Sequence, residues 1–423
     1  MRSINLILTV IIILTNTFYI TAQPQEFDLL VEEAIRVSPK LNMLRAKKDA
    51  SFSRIEQNSN LPDPMLTLGL INLPVNSFSF TQEPMTGKIV GLSQMFPFPG
   101  KLSAISEAAS VDTSIVRQEI NDAVNEIRKM VSTKYFKLSY VRKALLYMQE
   151  SKKLLEEIAD VVSTKYTVAT ASQQNLIKVQ LEITNISEKI EDLKSKEKSV
   201  LAELNSLLLR DPYTKIETKY FDDIIFVDIS VNELDSLSRI HRPFLKGIAY
   251  AEQKARLNQN IAQKDFYPNF TLGLQYSFRE EIAVNQTPLD DFFSVIVGIS
   301  LPLNYGGKVS SKVEEFVSMQ QLYSDQYSSA LQNLNSNFGA SVSQLESIEE
   351  RIKLFEEGLL PQSQQNFSSA LASYQVNEVD FINVIDAQDQ LFKIETNLYR
   401  LKTDYLIQVA ELEFLVGTSL RNL

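Results

Sequence analysis

The chain has 423 residues, 22% of them charged and 44% hydrophobic, with 42 Lys+Arg against 52 Asp+Glu and a formal charge of −10. The absence of Cys excludes a disulfide scaffold, thiolate metal sites and cysteine catalysis, and one His, His241, leaves no His-cluster metal site and argues against a His-dependent triad. With only 12 Gly, no GxGxxG, no GxxxxGK[ST] and an acidic balance unsuited to nucleic acid, what remains is a helix-rich, non-catalytic protein.

Residues 1–22 read as a secretory signal. Arg2 supplies the positive start, Leu6–Leu14 is almost wholly apolar, and Thr21-Ala22 before Gln23 is a small-residue cleavage site. The alternative is a retained anchor helix, but the apolar core is short and no basic stop follows it. Without Cys the mature N-terminus has no thiol for a lipoprotein acyl anchor. No later run reaches 18 apolar residues, so any membrane crossing must be made by strands.

The chain then repeats itself. Leu30, Ser38-Pro39 and Leu41 align with Leu234, Arg242-Pro243 and Leu245 at an offset of 204. At the same offset Pro64-Met65-Leu66-Thr67-Leu68-Gly69-Leu70 matches Pro268-Asn269-Phe270-Thr271-Leu272-Gly273-Leu274. The offset is 207 for Gly91-Leu92-Ser93 against Gly298-Ile299-Ser300 and for Gly100-Lys101 against Gly307-Lys308, and 208 for Tyr166 against Tyr374. So slow a drift means small loop insertions within a duplicated plan. The expected organisation is a first repeat over 23–210, a linker over 211–230 and a second repeat over 231–423. Each repeat reads as helix, strand, loop, strand, very long helix, turn and second long helix.

Strands are predicted at about 64–73, 88–96, 268–279 and 292–303. Leu66, Leu68 and Leu70 share one face, as do Phe270, Leu272 and Leu274, and Val295, Val297 and Ile299, with small or polar residues between them. Such alternation fits a transmembrane barrel around an aqueous lumen, and it fits a small soluble sheet lying on helices about equally. The loops 74–88 and 280–291 are polar and acidic. Four strands cannot close a barrel, and an open edge in hydrocarbon leaves backbone groups unpaired. Membrane-spanning strands would therefore have to be pooled: three chains give twelve, and a dimer closing eight is equally allowed by this argument.

The long helices carry heptads. Ile120, Val124, Ile127, Val131, Leu138, Val141, Leu145 and Met148 step by 3 and 4, with Lys134 in one slot. Leu176 to Leu207 and Val309 to Leu359 continue the pattern. A helix over 102–165 would be ~95 Å long, and Pro361 should kink the later one or join two pieces.

These features together resemble the TolC family of outer-membrane efflux proteins over about residues 26–417. The stretch Leu61-Pro62-Asp63-Pro64, Gln82-Glu83-Pro84-Met85-Thr86 and Gly91-Leu92-Ser93-Gln94-Met95-Phe96-Pro97-Phe98-Pro99-Gly100-Lys101 looks like the heavy-metal-efflux (CzcC/CusC-like) branch. Asn205-Ser206-Leu207-Leu208 and Tyr374-Gln375-Val376-Asn377 are similar to other family motifs. The resemblance implies a mainly α fold: long antiparallel helices forming a periplasmic tunnel, with four strands given to a trimeric twelve-stranded barrel. It implies a homotrimer in the outer membrane that docks with a periplasmic adaptor and an inner-membrane RND-type pump, uses no cofactor and carries heavy-metal cations as cargo. Carried over residue by residue, Tyr374, Asn383, Asp386 and Asn175 would stand at the periplasmic entrance. The hairpin tips Val168, Ala169, Thr170, Val376, Asn377 and Glu378 would face the adaptor or pump. Asn175 and Asn383 depart from the family's Asp, and Ala169 and Asn377 replace its tip glycine. A drug-efflux or type I secretion duct, and a soluble secreted coiled-coil protein, are the competing readings.

Other polar residues carry less. Met65, Met85 and Met95 read as filler rather than as a soft-metal relay, His241 as a surface or helix-start residue, and Glu156, Glu157, Glu191 and Asp192 as solvated helix faces.

Overall fold

The computed structural model describes residues 26–420 apart from Asn285 and Asn377; the expected export signal lies outside the described residues. In chain order the elements are α1 (Glu26–Val37), α2 (Pro39–Ser59), β1 (Met65–Ile71), β2 (Gly87–Phe96), α3 (Lys101–Thr167) and α4 (Gln173–Leu207). They are followed by α5 (Val231–His241), α6 (Pro243–Lys264), β3 (Phe270–Phe278), β4 (Phe292–Ile299), α7 (Lys308–Leu354), α8 (Leu360–Gln375) and α9 (Phe381–Val416). Mostly helix with one small sheet, this is the architecture the sequence implied.

Two differences have local causes. The single helix expected before each strand pair is two helices, because a proline cannot continue a helix but starts one well. Pro39 opens α2 behind Ser38, whose Oγ accepts from the Leu41 N–H at 3.4 Å, and Pro243 opens α6 behind Arg242. His241 is accordingly the exposed end of α5, not a helix start. Pro361 has the expected effect by a specific route: a π-helical turn at Phe355–Leu359 joins α7 to α8, leaving Pro361 in the first turn of α8.

The four strands form one antiparallel sheet in the order β1-β2-β3-β4. The two hairpins share a register. Leu66 opposes Leu92 and Leu68 opposes Val90 in the first; Phe270 opposes Ile299 and Leu272 opposes Val297 in the second. Shifting β1 by 204 and β2 by 207 superposes one ladder on the other, so the internal likeness extends to hydrogen bonding. β4 ends at Ile299 rather than at 303, since β3 begins at Phe270 and offers nothing opposite residues 301–303.

α3 is 67 residues long, ~100 Å at 1.5 Å per residue. It is the axis of the molecule, packed by α2, α4, α6 and α9. Two of three cores lie along it, one under α1, α2 and the end of α4 and one near the hairpin tips, while the third lies among α5, α6, α7 and α9. Lys134, the heptad exception, turns outward to Glu203 of α4 at 2.5 Å. Arg242 ties the halves together. Buried, it stacks 4.2 Å from the Phe414 ring of α9, donates to the Phe414 carbonyl and pairs with Asp122 of α3 at 3.4 Å. Gly417 ends α9 with φ +87°, and a Cβ there would meet the His241 carbonyl oxygen at 2.7 Å, so this turn needs glycine.

The linker 211–230 has no regular structure, so its backbone groups need other partners. Tyrosine hydroxyls supply several. Tyr135 accepts from the Lys219 N–H at 3.1 Å, Tyr399 from Phe221 at 2.9 Å and Tyr405 from Val227 at 2.7 Å. Asn205 donates to the Pro212 and Thr214 carbonyls at 3.0 and 2.8 Å. Lys143 sits among the rings of Tyr147, Tyr220 and Tyr399, 4.9–5.7 Å from their centroids, and reaches Asp222 at 3.2 Å. The tyrosines thus strap the linker across the helical waist.

Beside this strap, burial raises the pKa of Glu395, Glu150 adds to the rise and Lys143 opposes it. Burial likewise raises Asp404 and Asp122, against nearby arginines and lysines. A carboxyl raised on folding binds its proton more tightly in the native state, so its stabilising contribution is full below the unfolded pKa of about 4 and is lost as pH rises through the folded value. Thermal stability of the helical part should therefore fall from mildly acid to neutral pH. Glu395→Gln should flatten part of that fall and raise the melting temperature near neutrality. Circular-dichroism melts across pH check this; a variant whose profile runs parallel to wild type contradicts it.

Candidate functional site: an open apolar sheet and paired hairpin tips

The pleat sends alternate side chains to opposite faces. On one face the rows run Leu66–Leu92–Leu274–Val295, Leu68–Val90–Tyr276–Phe293 and Gln94–Leu272–Val297, with Leu70–Lys88–Phe278 at one end and Phe96–Phe270–Ile299 at the other. All nine residues singled out for this face, Leu66, Leu68, Leu70, Phe270, Leu272, Leu274, Val295, Val297 and Ile299, are exposed, Leu68 by 70%. A sheet nine residues tall is about 30 Å along the strand, which at a tilt of roughly 35–45° rises about 21–25 Å, close to the ~25 Å apolar band of a barrel wall. Aromatic rings stand at both ends: Tyr276, Phe278 and Phe293 by the loops, Phe96 and Phe270 by the helices. Phe98 stacks on Tyr267 at 4.4 Å just below.

The opposite face is smaller in volume, with Gly69, Gly91, Gly273 and Gly298 among Thr67, Ser93, Gln275, Ser277 and Ser294. It is less polar than the alternation implied, because Ile89, Ile296 and Phe292 also lie there. Lys88, on the apolar side, is answered by Glu280 at 2.7 Å and lies over Phe80. Among the described residues, the outer edges of β1 and β4 have no strand partner.

At the far end of the long helices the two hairpins meet. Val168, Ala169, Thr170, Val376 and Glu378 are exposed at the tips; Asn377 lies outside the described residues. Ala169 takes the left-handed conformation, φ +61°, with its N–H on the Tyr166 carbonyl at 3.0 Å and the Thr170 N–H on Lys165 at 2.8 Å. In α4 the Ser172 hydroxyl caps the helix by accepting from the Asn175 N–H at 3.3 Å, and the Asn175 side chain is half-buried. Asn383 and Asp386 are exposed on α9 three residues apart, hence on one face. One turn further, Asp389 pairs with Lys393 at 2.5 Å.

Tyr374 does not join that exposed face. It is buried between the hairpins, 5.3 Å from the Phe381 ring, and burial raises the pKa of its hydroxyl. Lys165 of the first hairpin covers its ring at 4.4 Å and donates to the Tyr374 and Gln375 carbonyls at 2.7 and 3.1 Å. A second tie runs from Gln388 of α9 to Ser151 of α3, 2.7 Å to its hydroxyl. Sequence reasoning missed both ties, since nothing in the spacing sets Lys165 against residues more than 200 positions away. Among the described residues no cluster of His, Cys, Asp or Glu could hold a metal ion, and no helix is long and apolar enough to cross a membrane.

Residues 234–418 match the family model described as outer membrane efflux protein. That match spans 185 of the 423 residues, most of the second repeat. Over the whole length, the Outer membrane protein TolC of Vibrio cholerae is 20% identical across 421 residues, 92% of this chain and 90% of the relative. The crystal structure of the outer membrane protein VceC, also from Vibrio cholerae, superposes with a TM-score of 0.75 at 17% identity, covering 94% of this chain and 97% of VceC. CusC gives 0.77 at 18%, covering 93% and 92%. At these identities the likeness is one of fold, and the fold is TolC-like from α1 to α9.

The left-handed alanine at the first tip yields a direct test. A non-glycine residue there costs roughly 1–2 kcal/mol, so Ala169→Gly should stabilise the hairpin by about 1 kcal/mol. Amide hydrogen exchange near residues 164–172 should slow in the variant. Unchanged or faster exchange would show that the tip is not held in this turn.

Proposed function

We propose that the chain is one protomer of an outer-membrane exit duct, a passive conduit whose strands join those of other copies in a lipid-embedded barrel and whose helices extend it through the periplasm. One observation carries the reading: an antiparallel sheet with one exposed, mainly apolar face and, among the described residues, two open edges, mounted on long helices of which α3 reaches ~100 Å. In water such a face invites aggregation; in hydrocarbon its side chains are at home, while its edges must be paired. The family match over 234–418 and the TolC-like fold of the whole chain support the same conclusion. Three copies give the twelve strands implied by the family resemblance, with adaptor and pump meeting the hairpin tips. The duct performs no reaction.

Heavy-metal cations are the cargo in this reading, supported by the motif run from Leu61 to Lys101. Selection among metals then belongs to the pump and adaptor. Asp386, repeated by symmetry, would ring the entrance with carboxylates that favour cations, and Asn175 and Asn383 would make that ring weaker than one with Asp at all three positions. Planar-bilayer recordings should show a cation preference that drops severalfold in Asp386→Ala, and equal selectivity in the two proteins sinks the pore-lining role. Deleting the gene should sensitise cells to Cu, Ag, Zn, Co or Cd; sensitivity confined to bile salts and dyes would make this a drug-efflux duct. Recovery of the protein in the soluble periplasm would refute the membrane reading.

A further inference from the structure

The apolar face of the sheet ends at the row Phe96–Phe270–Ile299, and the chain passes from strand to helix just beyond it. There a cavity of about 390 Å³ opens between the end of α6, the start of α3 and the segment that joins β4 to α7. Its walls differ in chemistry. On the sheet side Leu301, Leu303 and Tyr305 line it, and they are 74%, 73% and 88% exposed. Leu301 is next in alternation after Val295, Val297 and Ile299, so this wall prolongs the apolar face.

On the helix side the surroundings are basic. Lys101, the first residue of α3, pairs with Asp265 at 2.5 Å, and Lys312 of α7 takes the other oxygen of the same carboxylate at 2.7 Å. Lys264 stands beside them, since a Cβ on Gly100 would lie 3.5 Å from its Nζ. Lys308 is exposed and lines the cavity with Lys101 and Asp265. Among the described residues, no carboxylate pairs with Lys264 or Lys308. Asp265 is the one acidic residue in the lining. The next carboxylates along the two long helices, Glu107 and Glu314, come six residues after Lys101 and Lys308, ~9 Å further on. The repeats differ here: the shift of 204 places Lys264-Asp265 on Asn60-Leu61, so Lys308 has no carboxylate equivalent to the one that answers Lys101. Four ammonium groups thus gather around one carboxylate, and their mutual repulsion leaves a place for a further anion.

We propose that this cavity holds the headgroup phosphate of an anionic phospholipid, bound where the helices leave the membrane. The inference rests on the reading that the sheet lies in lipid. Lys308 and Lys264 bind the phosphate oxygens, while Lys101 and Lys312, fixed by Asp265, add positive field around them. The acyl chains pass over Leu301 and Leu303 and continue along the exposed side chains of the sheet. A soluble phosphate ion would use the lysines equally well but would gain nothing from the leucine wall, and this is why the lipid is favoured. The long lysine stems suit the place, because they lie along apolar surface while their charged ends stay at headgroup level.

Because the chain has no Trp, Tyr305→Trp puts a single fluorophore on the cavity wall and Val297→Trp puts one in mid-sheet. Each full-length variant is reconstituted into phosphatidylcholine vesicles with rising fractions of phosphatidylglycerol or phosphatidylcholine brominated in the upper acyl chain, which quenches tryptophan on contact. Tyr305→Trp should reach half-quenching at about a fivefold lower fraction of the phosphatidylglycerol, whereas Val297→Trp should not separate the two lipids. Adding Lys264→Gln and Lys308→Gln, which leave both Asp265 ion pairs in place, should erase the preference without lowering the thermal melt. Lys308→Gln alone, a change on an exposed side chain, should lose part of it. Equal quenching by the two lipids at Tyr305→Trp, or a preference that survives the lysine changes, overturns the site. Displacement of the phosphatidylglycerol by millimolar inorganic phosphate assigns the cavity to a soluble anion and overturns the lipid. Quenching at Val297→Trp with none at Tyr305→Trp overturns the site and leaves the membrane reading standing. Absence of quenching at both positions overturns both.

Discussion

A backbone N–H or C=O in hydrocarbon has no water to fall back on, and an unsatisfied one costs several kcal/mol. On the reading proposed above, this constraint organises the molecule. The sheet presents an apolar face broken only by Gln94 and Lys88 and satisfies only its interior ladders, so among the described residues the outer edges of β1 and β4 have no strand partner. A soluble protein would cover such a face with a helix and blunt such edges with charge. Here the helices instead leave the sheet end-on, at Gly100-Lys101 and Gly307-Lys308. The wall is left bare, and the open edges make the single chain an incomplete object.

Each repeat contributes one hairpin and two long helical arms, yet the arms are not covered alike. The contrast between α3 and α7 expresses this. α3 is enclosed by partners from both repeats, and its heptad residues Val131, Leu138 and Leu155 are fully buried. α7 carries the equivalent pattern but keeps exposed apolar residues such as Val317 and Leu322 on a side that no described residue covers. Sequence periodicity is the same in both helices; the difference is how much of each the rest of the described chain covers.

The tip end obeys different physics, because it must hold together in water. The two hairpins share an apolar core of Leu155, Ile158, Val162, Val179, Phe381 and Val384 around Tyr374. Lys165 bridges them by capping carbonyls at the end of α8. A lysine at a helix C-terminus also complements the helix dipole. The polar ties are few and local, while the exposed side of α9 carries Asn383 and Asp386. A tip built this way can change charge at its surface without disturbing the packing behind it.

Much of this was legible in the residue string. Strict alternation in Phe270–Phe278 specifies a strand with an apolar side, and sustained 3-4 spacing from Ile120 to Met148 specifies a long packed helix, because both periods are local properties of backbone geometry. The 204 and 207 offsets announce the duplication, and Pro361 announces a break. Other features depend on residues that are distant in the chain and close in space. The tyrosine strap over 211–230 rests on Tyr135, Tyr399 and Tyr405, whose positions relative to the linker no periodicity encodes. Tyr374 reads as an entrance residue in its motif, yet packing turns its ring inward, where Lys165 meets it. The termination of β4 at Ile299 was equally illegible, since a strand persists only while something pairs with it. Sequence by itself determined the elements, their faces and their repetition, which are matters of period and chain direction. Only the tertiary structure decided which faces meet, which edges stay open and which polar groups find partners, because those depend on distances that folding alone creates.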